Sequence, residues 1–111
     1  MTAPGGGLRE RRLLELLGLA ARAGALLSGT ANVREGVRDG RVHFVMLAED
    51  AAAGQRGKLE PLLQARGVSM VSCFSRARLG AALGAAPVSA VGIADPGLAE
   101  RAAELARGNV V

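Results

Sequence analysis

The sequence alternates helical segments with short, almost continuously apolar runs, and this alternation limits the folds available to it. The runs at 42–48, 68–73 and 88–95 are each long enough for one buried strand, and residues 25–29 form a shorter extended piece. Strands separated by helices form a parallel or mixed sheet that is covered by helices on both faces. We therefore predict an α/β fold, a three-layer α/β/α sandwich with a mixed sheet of about four strands.

Local signals mark the ends of the five predicted helices. Gly24 and Gly40 are natural stops for the first and second helices. Ser75 is a suitable N-cap for the fourth helix, and Pro96 fits the first turn of the last one. Pro61 interrupts the third helical segment, which predicts either a bend there or a helix that begins only a few residues before the proline.

The length of 111 residues is typical of one domain with one core. We predict a flexible N-terminal tail at residues 1–7 and a single domain at 8–111. No apolar run approaches the roughly 18 residues that a membrane span requires, and the first residues lack a secretory pattern. A single cysteine, Cys73, cannot form an internal disulfide. These features predict a soluble, cytoplasmic protein without membrane association, and we expect it to be a monomer.

The charge balance favours a polyanionic partner. Fourteen basic residues face ten acidic ones, which gives a formal net charge of +4. Nearly all of the basic residues are arginine, which suits phosphate recognition but is better explained by GC-rich codon usage. The chain has no Trp or Tyr and only two Phe, so it lacks the rings on which many RNA-binding modules stack single-stranded bases.

The usual signatures of catalysis are missing from the sequence. One His and one Cys do not make a metal site, and no glycine-rich phosphate loop follows a strand, so we predict no cofactor and no enzymatic activity. His43, at the start of a strand, is interpreted as a structural histidine, and Cys73 as a small buried thiol. Glu49 and Asp50 directly precede the third helix, where an N-cap is a better interpretation than acid–base chemistry.

The second helical segment carries an unusual arrangement of arginines. At 100° per residue, Arg34, Arg38 and Arg41 fall within about 60° of one another, on one face of a helix. The like charges four residues apart cost the helix roughly 0.2–0.5 kcal/mol, and the interior Gly36 costs up to about 1 kcal/mol relative to alanine. This helix is therefore not optimised for its own stability.

The start of this helix suggests a phosphate site. Gly29 and Thr30 allow a turn, and the first backbone N–H groups of a helix have no intrahelical acceptor. Such a terminus binds phosphate, and the arginines along the same helix would extend the contact. An ordinary solvated face with Thr30 as its N-cap explains this stretch equally well.

The order of three motifs resembles a known family. Gly29 before the second helix, "LAED" at 47–50 and "LGAALG" at 79–84 are similar to the ribosomal protein L7Ae superfamily over residues 12–99, and most similar to its bacterial YlxQ-like branch. The resemblance implies an α/β/α sandwich that binds structured RNA, often a kink-turn. The positions that it assigns to RNA contact are Gly29, Thr30, Ala31, Asn32, Arg34 and Glu35, and Ala85, Ala86, Pro87, Val88 and Ser89.

The chain departs from the family pattern at one motif. Archaeal kink-turn binders carry Asn-Glu-x-x-Lys where this sequence has Ala31, Asn32 and Glu35. The resemblance implies a ribosomal or translation-associated accessory protein that binds a kink-turn or another ribosomal RNA element, with no DNA partner. The alternatives are a protein-interaction module on the same scaffold and, ranked last, the substrate-binding domain of an RNA-modifying enzyme.

Overall fold

The computed structural model describes residues 7–107, in which five helices alternate with four strands. The elements in chain order are α1 (Leu8–Arg22), β1 (Leu26–Ser28), α2 (Thr30–Arg38), β2 (Phe44–Leu47), α3 (Ala53–Arg66), β3 (Ser69–Ser72), α4 (Arg76–Ala82), β4 (Ala90–Ile93) and α5 (Pro96–Ala106). The predicted tail at 1–7 lies outside the described residues except for Gly7, which is the N-cap of α1.

The four strands form one mixed sheet in the order β1-β4-β2-β3. Strands β2 and β3 are parallel, whereas β4 runs antiparallel to both of its neighbours, β1 and β2. In this register Phe44 lies opposite Ser69 on one side and Ile93 on the other. The predicted mixed sheet of about four strands is confirmed.

Helices cover both faces of this sheet. Phe44 and Met46 of β2 point into a core cluster shared with α1, α4 and α5. Val45 and Leu47 point into a second cluster, which α2 and α3 close. All four residues of β2 are buried, and so are all four of β4, because both strands lie inside the sheet. The described chain is thus the three-layer α/β/α sandwich that the sequence predicts.

Two predictions about the edges of this core are wrong. The sequence predicts a buried strand at 68–73, but β3 is an edge strand that, among the described strands, pairs only with β2, and it exposes Ser69 and Ser72. His43 was predicted to be a structural histidine, yet its side chain is exposed. Strand β2 begins only at Phe44, so His43 belongs to the connecting segment, where its backbone N–H donates to the Ile93 carbonyl at 2.9 Å.

Most of the predicted helix ends are confirmed. Gly24 and Gly40 follow α1 and α2 with positive φ angles, as glycine stops do. Ser75 Oγ accepts a hydrogen bond from the Arg78 amide, and Pro96 is the first residue of α5. The helix around Pro61 does not begin shortly before the proline, since α3 is continuous from Ala53. No helix of the described chain is both long and apolar enough to cross a membrane.

Candidate nucleic-acid interface

The fold brings together the two segments that the resemblance assigned to RNA contact. The Gly29 N–H donates to the Ala90 carbonyl at 2.9 Å, which ties the start of α2 to the residue that follows the 83–89 loop. The same pairing places Ser28 of β1 opposite Val91 of β4. One edge of the sheet therefore carries both the N-terminus of α2 and the α4–β4 loop.

Helix α2 begins one residue earlier than it would if Thr30 were its N-cap. Gly29 is the N-cap, with φ 93° and ψ 145°, and no side chain caps the helix, so the interpretation of Thr30 as N-cap is wrong. The Gly29 carbonyl accepts the first helical bond from the Val33 amide at 2.9 Å. The three amides before Val33 have no acceptor within the helix. They form a cluster of donors of the kind that binds phosphate.

Asn32 supplies a side-chain amide beside these donors. Its Nδ2 donates to the Ser28 carbonyl at 3.0 Å, which turns the side chain back toward the end of β1. A primary amide has two donor hydrogens and one acceptor oxygen. One hydrogen and the oxygen of this exposed residue consequently remain for a ligand.

The 83–89 loop lies closely against α4 because Gly80 has no side chain. A Cβ at Gly80 would stand 2.2 Å from the Ala86 carbonyl oxygen and 2.9 Å from Pro87 Cα. The Val88 amide donates to the Arg76 carbonyl at 3.1 Å, and the Val88 side chain packs against the first core cluster. The outer surface of the loop is therefore apolar and exposed, and it consists of Ala85, Ala86 and Pro87.

The sequence predicts that Arg34, Arg38 and Arg41 share one helical face, but the structure arranges them differently. Arg34 and Arg38 share α2, but the helix ends at Arg38 and the chain turns at Gly40, so Arg41 does not continue their stripe. The prediction that all three lie on one helical face is wrong for Arg41. Its Nη2 lies 3.5 Å from Asp39 Oδ2 in an exposed pair, where such contacts contribute little.

Arg34 has an unpaired nitrogen. Its side chain is half-buried, and among the described residues its Nε is the only fully buried side-chain nitrogen or oxygen without a hydrogen-bond partner. Leaving a buried donor unpaired costs on the order of 1–3 kcal/mol, so native proteins have few such groups, and each has a cause such as strain, a bound water or ion, or a functional role. The Arg34 side chain lines a depression on α2 together with Ala31, Glu35, Arg38 and Asp39.

Arg66 adds a basic group that the sequence analysis missed. It ends α3, and its Nη1 donates to the Arg38 carbonyl at 3.0 Å. A cation at the C-terminus of a helix interacts favourably with the helix dipole. Arg34 and Arg38 of α2, with Arg66 at the C-terminal end of that helix, thus form a basic stripe, and no carboxylate of the described residues pairs with any of them.

The acidic residues after β2 also act differently from the prediction. The N-cap of α3 is Ala52, which makes no side-chain hydrogen bond, so neither Glu49 nor Asp50 caps that helix. Asp50 Oδ1 instead accepts from the Arg76 amide at 2.8 Å, at the first residue of α4. The carboxylate therefore caps a helix that is distant in sequence, and it fixes the position of the element that carries the 83–89 loop.

Arg56 of α3 forms hydrogen bonds with residues at the same edge of the sheet. Its Nη2 donates to Ser72 Oγ at 2.8 Å and to the Ala48 carbonyl at 3.1 Å, while Nη1 pairs with Glu60 at 2.9 Å. These bonds join the ends of the two parallel strands to the helix between them. Arg56 is a structural arginine, and nothing in the spacing of the sequence distinguishes it from the others.

Cys73 follows β3 at this edge and is only half-buried, so its prediction as a buried thiol is confirmed in part. Burial raises the pKa of the Cys73 thiol to about 11, and the carboxylates of Glu49 and Glu10 act in the same direction. Arg9 and Arg78 partly oppose the effect. The thiol is therefore protonated at neutral pH, which makes it a poor nucleophile.

This shift predicts a loss of stability in alkaline solution. The thiol of the unfolded chain ionises near pH 9.0, whereas that of the folded chain holds its proton until about 11, so the free energy of unfolding should fall across that interval and be unaffected by Cys73 at lower pH. Denaturant titrations across this interval, on the wild type and on Cys73→Ser, measure the effect. The chain has one Lys and no Tyr, so few other groups titrate there. An equal loss in both proteins would contradict the prediction.

Comparison with known proteins adds to this geometry. The sequence model of the ribosomal protein L7Ae/L30e/S12e/Gadd45 family matches residues 11–103. The chain belongs to this family. Its α/β/α sandwich is therefore the fold of an L7Ae-family protein.

Individual relatives align with most of the length of this L7Ae-family chain. "RNA-binding protein YlxQ" of Enterococcus faecium is 30% identical over 99 residues, which cover 89% of this chain and 95% of the relative. A Bacillus halodurans protein of unknown function has a solved structure that superposes with a TM-score of 0.83 at 33% identity, covering 86% of this chain and 97% of the other. The Giardia lamblia 15.5kD RNA binding protein shares the fold, with a TM-score of 0.77 at 23% identity over 95% of this chain and 90% of the other.

Proposed function

We propose that this protein binds structured RNA, without catalysis, at the sheet edge formed by the α2 N-terminus and the 83–89 loop. The observation that carries the proposal is the Gly29–Ala90 hydrogen bond, which holds a cluster of free helix amides beside an exposed apolar loop. Family membership and a relative named as an RNA-binding protein support it. The net charge of +4 agrees with a polyanionic ligand.

The two parts of the edge suit two parts of an RNA. The free amides of α2 and the stripe of Arg34, Arg38 and Arg66 would contact the phosphate backbone, which supplies most of the affinity. The exposed face of the 83–89 loop would pack on bases that are turned out of the helix. Such a surface needs a bent RNA, because a straight duplex does not present extruded bases.

The finer target follows from the family resemblance. We propose a kink-turn or another element of ribosomal RNA as the ligand, and a role in the cytoplasm as a monomeric accessory protein of translation, with no DNA partner. Asn32 replaces the glutamate of the archaeal motif, and its free Nδ2 hydrogen and Oδ1 could contact a base edge. Glu35 stands where that motif has lysine, so backbone contact at this point would depend on Arg34 and Arg38.

The first experiment is a titration of the protein against a kink-turn RNA at two salt concentrations, with a matched duplex that lacks the G·A pairs. Selective binding of the kink-turn would support the finer proposal. Equal, salt-sensitive binding of both RNAs would retain RNA binding but reject the kink-turn. Failure to bind either RNA would favour the alternative of a protein-interaction module.

Arg34→Glu should weaken RNA binding in this titration by roughly tenfold or more, because charged hydrogen bonds contribute about 1.5–3 kcal/mol each. Loss of one phosphate contact should also reduce the slope of log K against log salt by about 1. Arg107→Glu is the matched control, since Arg107 is an exposed arginine just after α5, on the other layer of the sandwich. An unchanged salt slope for Arg34→Glu would remove Arg34 from the interface.

A further inference from the structure

A groove on the opposite layer of the sandwich has no role in the proposed RNA contact. It runs between α1 and α5, has a volume of about 660 Å³, and is lined by leucines from both helices. These helices cover the face of the sheet that α2 does not contact. A ligand in the groove would therefore lie on the other layer from the RNA edge.

Helix α1 exposes a second apolar stripe toward this groove. Leu13 and Leu17 face the core, as a surface helix requires. Leu8, Leu16 and Leu19 line the groove instead. Leu8 and Leu19 are 53% and 47% exposed, and they are the only large apolar side chains exposed among residues 7–107. Both occur in one groove rather than scattered over the surface, which is typical of an interaction site.

The charges around the groove define the partner that would fit. Arg11 and Arg12 of α1 and Arg101 of α5 line it, and Glu15 is the only acidic residue among the lining residues. Within residues 7–107 none of these three arginines forms an ion pair with a carboxylate. An apolar floor with an unneutralised basic rim is complementary to an amphipathic helix that has leucine-type anchors and acidic flanks.

From this complementarity we propose that the α1–α5 groove binds an acidic amphipathic helix of a partner protein. A second copy of this chain fits poorly, because α1 itself is rich in arginine and two basic rims would repel each other. RNA that docked through its phosphates would match the basic rim but leave the leucine floor without an apolar partner, so the floor favours a protein ligand. The proposal does not depend on the RNA-binding function.

The probe is a fluorescent synthetic helix of about four turns, with leucines at i, i+4 and i+7 and glutamates on both flanks. One control peptide replaces every glutamate with lysine, and another has its leucines scrambled. Fluorescence anisotropy measures binding of each peptide to the full chain. We expect saturable binding of the acidic peptide, with binding of both controls weaker by roughly tenfold or more. Failure of the acidic peptide to bind, or equal binding of either control, would overturn the proposal.

Protein variants then place the peptide in the groove. Leu19→Gln and Arg12→Glu should each weaken peptide binding by roughly tenfold, since each removes an anchor or a rim charge. Arg22→Glu is the matched control, because it changes an exposed arginine of α1 that does not line the groove. Circular dichroism checks that each variant is folded. An equal loss in Arg22→Glu, or dimerisation of the wild type that Leu19→Gln abolishes, would contradict the assignment.

Discussion

Gly80→Ala is expected to destabilise the protein and to reduce its RNA affinity together. The new Cβ would lie 2.2 Å from the Ala86 oxygen, 2.6 Å from the Ala86 carbonyl carbon and 2.9 Å from Pro87 Cα. All three are backbone atoms, so no rotamer change relieves the clash, and the loop must move away from α4. Overpacking of this kind costs typically about 1–3 kcal/mol. Thermal or denaturant unfolding measures the first effect, and the RNA titration the second.

Gly57→Ala is the matched control for this substitution. Gly57 also lies inside a helix, α3, but a Cβ there meets no atom within 4 Å. Alanine has the higher helix propensity by up to about 1 kcal/mol, so Gly57→Ala should leave stability equal or raise it slightly. If Gly80→Ala were as stable as Gly57→Ala, the close packing of the loop on α4 would be refuted. If it were destabilised but bound RNA normally, the loop would not be part of the RNA interface.

Gly29→Ala should have an effect of similar size for a different reason. A Cβ at Gly29 has no neighbour within 4 Å, but the backbone has φ 93° and ψ 145°, a conformation close to a region that is almost exclusive to glycine. Holding another residue in such a conformation costs about 1–3 kcal/mol. The strain would be relieved by reorienting the Gly29 N–H, which would break its bond to Ala90 and displace the amides of α2. We expect both stability and RNA affinity to fall.

Gly67→Ala separates this local effect from the general cost of a positive φ. Gly67 ends α3 with φ 66° and ψ 28°, the left-handed helical conformation, and a Cβ there also meets nothing within 4 Å. Alanine in that conformation costs about 1–2 kcal/mol. Unfolding should therefore show a loss in both variants, whereas RNA titration should show a loss only for Gly29→Ala. Equal RNA affinity in the two variants would argue against the α2 N-terminus as the binding site.

The sequence predicts the elements of this fold well, because the signals that define them are local. Ser75 bonds to an amide three residues away, and Pro96 acts through its own ring, so both helix starts could be read from neighbouring residues. The alternation of helices with apolar runs likewise predicts a sheet covered on both faces. It does not specify the strand order, since pairing of β4 between β1 and β2 depends on packing over the whole chain.

Some of the errors concern residues whose partners are distant in sequence, whereas those at Thr30 and Arg41 concern the exact ends of α2. Asp50 bonds to the Arg76 amide 26 residues away, and Arg66 reaches a carbonyl 28 residues back. No periodicity reveals such contacts. Tertiary contacts also explain why Gly36 stands inside α2 despite its low helix propensity. A Cβ there would lie 2.4 Å from Leu27 Cδ1 and 2.6 Å from Val42 Cγ2. The helix accepts a local cost so that α2 can approach β1 closely.

The central position of β4 has a consequence for how the chain folds during synthesis. Strand β4 is the last strand of residues 7–107, yet it lies between β1 and β2 and pairs with both. A nascent chain that leaves the ribosome N-terminus first therefore exposes β1 as an unpaired edge until residues 90–93 have emerged. Until then β2 and β3 can form only a parallel pair, which is slow to assemble and open on one side. Until β4 has emerged, the leucines of β1 therefore have no strand to pair with, and this leaves them open to aggregation.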